Sequence, residues 1–149
     1  MLNQKPYYGN PLIATLDPVV VKNSEVFTDV VDMSVHACVT ATLFLGDMPA
    51  EGIVFRAVAC DANGSNPTAT LTGKTVTITA SATANDGTQY VIQLTYGDLV
   101  SIQPTKRYVK FGVTTDAGTG GPAAISVHSH PARYQGGASG DLASVTVVA

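Results

Sequence analysis

Tryptophan is absent from this 149-residue chain, and only 13% of its residues carry charge. That charged share is about half the usual one for soluble domains. The formal net charge is −3, and the basic residues are scattered apart from Lys106, Arg107 and Lys110. A nucleic-acid binder needs a basic stripe, so that class is excluded as the main purpose, and the small cluster reads as a solvated strand end. No apolar run approaches membrane-spanning length, and Met1-Leu2-Asn3-Gln4-Lys5-Pro6 lacks the apolar core of a secretory signal. The expectation is a protein made in a cytoplasm, with no membrane partner. Cysteine is scarce too. Cys38 and Cys60 form neither a CxxC motif nor a metal pair.

What is present is Thr, Val, Ala and Gly in two-residue alternation. From Lys74 to Thr95, Val76, Ile78, Ala80 and Ala82 alternate with Thr75, Thr77, Thr79 and Ser81. Asn85-Asp86-Gly87 then turns the chain, and Tyr90, Ile92 and Leu94 alternate with Gln89, Val91 and Gln93. The pattern predicts a β-hairpin with one buried and one wet face. Folding 35–45 against 53–60 about Asp47-Met48-Pro49-Ala50-Glu51 predicts a second hairpin. Its core face carries Val39, Ala41, Leu43, Leu45, Ile53, Phe55, Ala57 and Ala59. Cys38 and Cys60 then fall opposite each other on the other face, where a disulfide is geometrically allowed, although a cytosolic origin favours thiols.

Strands are expected at 12–21, 26–33, 35–45, 53–60, 74–83, 88–96, 107–115, 123–130 and 142–148, with one helical turn near Gly97-Asp98-Leu99-Val100. Roughly eight short strands at about ten-residue spacing specify an all-β antiparallel sandwich, jelly-roll-like, as one domain over 12–149. Residues 1–11 read as an extended N-terminal arm, either a disordered terminus or a segment whose Tyr7 and Tyr8 pack on a neighbouring subunit.

The sharpest chemical signal is His128-Ser129-His130. Two histidines two residues apart on a strand project to one face, the spacing that cupins use for metal. The acid that cupins place a few residues later is missing, since Pro131, Ala132, Arg133 and Tyr134 follow. His36, the other imidazole, is expected on the non-core face beside Cys38 and Thr40. Metal ligation by His128 and His130 is therefore the weaker reading, and no cofactor is expected. The aspartates, Glu25 and Glu51 sit mostly at turns, where carboxylates cap backbone amides. Gly118-Thr119-Gly120-Gly121 and Gly136-Gly137-Ala138-Ser139-Gly140 precede no helix, so neither reads as a phosphate cradle. No nucleophile has an activating context. The expectation is a protein that is not an enzyme.

Several stretches occur in a telling order: Val30-Val31-Asp32-Met33-Ser34, Leu71-Thr72-Gly73-Lys74, Thr79 through Gly87, Arg107-Tyr108-Val109-Lys110, Ala132-Arg133-Tyr134, and Asp141-Leu142-Ala143-Ser144-Val145. Together, over about residues 26–148, they resemble the head decoration (cement) proteins of tailed bacteriophages. The Met48-Pro49-Ala50 turn, the His128-Ser129-His130 segment and the longer arm depart from that group. The resemblance implies a structural virion protein on the capsid surface, made in the host cytoplasm. It would be a dimer or trimer bound across neighbouring major capsid subunits. Arg and Tyr anchor interfaces, so Tyr7, Tyr8, Arg107, Tyr108, Arg133 and Tyr134 are the expected contact residues. Three rivals remain open: a sandwich module for carbohydrate or receptor binding, a cupin-like metalloenzyme built on His128 and His130, and a structural protein of the tail or connector.

Overall fold

A computed structural model describes residues 12–65, 67, 70–81, 83–116, 118–130 and 145–148, the last four by backbone alone. The expected arm at 1–11 and the segment 131–144 lie outside the described residues.

Alternating strands become two stacked sheets. The first contains β1 (Leu12–Val21), β9 (Gly121–His130), β4 (Cys38–Leu45), β7 (Gln89–Thr95) and β10 (Val145–Val148), in that spatial order. The second contains β2 (Val26–Phe27), β8 (Tyr108–Thr115), β5 (Ile53–Cys60) and β6 (Thr70–Ile78), with β3 (Val31–Asp32) also on β8. Pairings are antiparallel except that β10 runs parallel to β7. With β2 and β3 counted as one interrupted strand, the orders are 1-9-4-7 and 2/3-8-5-6. These are the two interlocked Greek keys of a jelly roll.

The core lies where the inward-facing residues of both sheets meet. From the first sheet come Val39, Ala41, Leu43, Leu45, Ile92, Leu94, Ile125 and Val127, and from the second Ile53, Phe55, Ala57, Ala59, Val76, Ile78 and Phe111, all buried. The core faces are those that the alternation predicts. The hairpins are not. β4 and β5 lie in different sheets, as do β6 and β7, so neither 35–60 nor 74–96 is a hairpin. In a jelly roll each of these connections crosses between sheets, and the two inward faces meet across the core. Ala80 is accordingly exposed in the crossing segment, and β6 begins at Thr70 and ends at Ile78. Cys38 and Cys60, alternating with core neighbours, lie on opposite outer sides of the sandwich. Both are thiols, and no disulfide joins them.

Local chemistry fixes the ends. The expected helical turn is α1 (Tyr96–Ile102), opened by a capping box. The Asp98 N–H donates to Thr95 Oγ1 at 3.1 Å, and the Thr95 N–H donates to Asp98 Oδ2 at 3.0 Å. Burial pushes the Asp98 carboxyl up, but the Thr95 donors and Lys74 together hold it below its ordinary value. At the other end, Glu51 is buried in the β4–β5 connection. Its carboxylate accepts from the N–H groups of Thr119 and Gly120, each at 3.1 Å. The Asp86 side chain accepts from the Met48 N–H at 2.8 Å. These turn acids act as clasps between inter-sheet connections.

Candidate functional site

Charge divides the two sheets unequally. Among the described residues, the five strands of the first sheet contain one charged side chain, Asp17, in a bulge of β1. The second sheet carries Asp32, Arg56, Lys74 and Lys110 in its strands. On that sheet Arg56 makes a fork-like pair with Glu25, at 2.7 Å through Nε and 2.6 Å through Nη2. Lys106 pairs with Asp61 at 2.5 Å. Lys110 donates to the Gly64 carbonyl at 2.8 Å and lies 4.0 Å from the Phe27 ring centre. Of the cluster expected to be a solvated strand end, Arg107 is exposed, whereas Lys106 and Lys110 are half-buried and held by partners within the fold.

The outer face of the first sheet is therefore the candidate site. Alternation places Thr40, Thr42 and Phe44 of β4 outward, since Val39, Ala41 and Leu43 face the core. Register aligns them across strands in rows. Leu12, His128, Thr40 and Gln93 form one row, and Thr15, Ser126, Thr42 and Val91 form the next. Ala124, Phe44 and Gln89 form a third. Phe44 is 39% exposed, Leu12 46% and Val20 56%. The hydroxyl and amide groups of Thr, Ser and Gln each donate and accept hydrogen bonds. The face offers hydrogen bonds and apolar contact without charge, which is the chemistry of a protein-binding surface.

His128 and His130 project onto this face, beside Thr40 and Cys38 respectively. His36 does not join them. Its Nδ1 lies 3.0 Å from Ser129 Oγ, and Ser129 alternates with the two histidines, so His36 meets the opposite side of β9. The outward position expected for His36 assumed a strand from residue 35, whereas β4 begins at Cys38. Among the described residues no three His, Cys, Asp or Glu side chains are placed to hold a metal ion. Burial pushes the Cys60 thiol up, which makes it a poorer nucleophile.

Burial and, secondarily, the neighbouring His128 lower the His130 pKa from its ordinary value of 6.5. A group whose pKa is lower folded than unfolded costs stability as pH falls, because the unfolded chain takes the proton first. Stability should therefore decline as pH drops below about 6.5 and level off below the folded-state pKa. Urea midpoints at neutral and mildly acidic pH test this, and His130→Gln should flatten that part of the profile. A midpoint that rises on acidification would contradict it.

Of the other expected contact residues, Tyr108 begins β8 in the second sheet and Arg107 immediately precedes it, both away from this face. The Arg107 guanidinium lies 4.8 Å from the Tyr108 ring centre, donates to Asp32, and is 53% exposed. Tyr7, Tyr8, Arg133 and Tyr134 lie outside the described residues. The uncharged face itself escaped sequence reasoning, although the near absence of charge from 38–45, 89–95 and 121–130 was a usable signal once those strands share a sheet.

Compared with models of known protein families the chain matches none, and a search of curated proteins likewise found no match. Among the described residues no helix is long and apolar enough to cross a membrane.

Proposed function

We propose that this is a non-enzymatic virion protein that decorates an icosahedral phage capsid and stabilises it by binding across neighbouring major capsid subunits. The observation that carries the reading is the uneven distribution of charge: ion pairs gather on one sheet, while the other presents an uncharged, hydroxyl-rich outer face. The order of short motifs resembling decoration proteins supports it. Such a protein works by addition. Each contact is modest, but an oligomer engages several sites together, and effective concentration raises avidity by roughly 10²–10⁴. A ligand that binds only the assembled shell stabilises that state by mass action, and so opposes the pressure of packaged DNA.

The contact roles of Tyr7, Tyr8, Arg107, Tyr108, Arg133 and Tyr134 belong to this proposal. The test compares capsids with and without the protein. Undecorated capsids should release DNA at lower temperature than decorated ones. Equal release temperatures would refute a stabilising role.

A further inference from the structure

We infer that the outer face of the first sheet is the self-association surface, on which a second copy of this chain docks about a two-fold axis. This deepens the reading above by assigning the oligomer contact, and depends on that reading only where a capsid is concerned. The argument starts from symmetry. A two-fold interface sets one patch against its own duplicate. A patch rich in Lys would meet only donors and one rich in Asp only acceptors, with like charges opposed. Two copies of a chain with net charge −3 already repel one another.

The uncharged face avoids both penalties. Thr15, Thr42, Gln93 and Ser126 each carry groups that donate as well as accept, so each finds a complementary partner in a copy of itself. Phe44 adds exposed apolar area on the same face. The charged groups on the outer face of the second sheet are already engaged within the fold, Arg56 with Glu25 and Lys110 with the Gly64 carbonyl and the Phe27 ring. Four strands about 4.8 Å apart and eight residues long, at about 3.4 Å each, span roughly 500 Å². A standard interface takes about 800 Å² from each partner, so the dimer is a weak one that rearranges with concentration.

Sedimentation velocity of the full chain over a range of concentrations tests this, with Ser126→Lys, Thr42→Lys and the control Thr77→Lys. Thr77 is exposed on β6 of the second sheet. The wild type should pass from monomer to dimer as concentration rises. Ser126→Lys and Thr42→Lys should each weaken the dimer at least about tenfold, through like charges facing across the axis, while Thr77→Lys leaves it unchanged. Circular dichroism identifies variants that retain the sheet signal, and either sheet-one variant suffices. A wild type that stays monomeric, a trimer, or equal weakening by Thr77→Lys would overturn the inference. Binding of the same variants to capsids separates the two claims. An intact Ser126→Lys dimer that no longer binds capsids would overturn the self-association surface and give the face to the capsid, leaving the proposed function standing. A Ser126→Lys monomer that still binds supports both.

Discussion

Phe55→Ala should lower the unfolding free energy by about 3–5 kcal/mol, the cost of emptying an aromatic site in a packed core. Phe55 is completely buried in β5, between Val76 of β6 and Val113 of β8 in register. Its neighbours on both strands are held in hydrogen-bonded ladders and collapse poorly into the vacated volume. Domains of this kind hold roughly 5–15 kcal/mol in total, so the variant sits close to the limit of folding. Phe44→Ala is the counterpart. Phe44 belongs to the adjoining alternation on β4 but points outward and is 39% exposed, so its loss should cost about 1 kcal/mol or less. Urea unfolding followed by circular dichroism compares the two. Similar losses would show that the inward and outward faces have been assigned wrongly.

The second large effect belongs to the backbone. Gly120 has φ of +67°, and a Cβ there would lie 2.1 Å from the Val21 carbonyl oxygen and 2.5 Å from Lys22 Cβ. Neither obstacle is the movable tip of a side chain, so the 118–121 loop must shift. That shift disturbs the Val21–Gly121 pairing and the amide that donates to buried Glu51. Gly120→Ala should therefore cost about 3 kcal/mol or more, the range of strain combined with a broken buried hydrogen bond. Gly73 isolates the conformational part, because its φ is +77° with nothing within 4 Å of a Cβ. Gly73→Ala should cost only about 1–2 kcal/mol, the left-handed penalty by itself. If the two glycine variants are equally stable, the close approach at Gly120 does not hold in solution.

The legible part of this fold is parity. Alternation along Val39–Leu45, Ile53–Ala59 and Ile92–Leu94 identified the buried faces because a strand's side chains have a period of two, whatever sheet the strand joins. Parity is silent on partnership. Val76 and Ile78 share a core with Ile92 and Leu94 whether β6 and β7 pair side by side or face each other across a sandwich. The Asn85-Asp86-Gly87 signal marks a real turn, with Gly87 at φ of +64° and the Thr88 N–H donating to the Asn85 carbonyl. That turn sits inside a connection between sheets, and local turn chemistry carries no record of the distance to the next strand's partner. The candidate face was hidden for the same reason. Strands that together carry a single charged side chain become one surface only after topology sets β1, β9, β4 and β7 side by side. The histidine pair was legible in sequence; the place of His36, drawn by Ser129 to the other side of β9, was not.

Cosedimentation of the purified protein with expanded phage capsid shells, the partner proposed for it, tests the central claim most directly. The account predicts saturable binding at a fixed number of copies per shell, with the bound shells rupturing at higher temperature than bare ones. Shells that pellet without the protein at saturating concentration would contradict it.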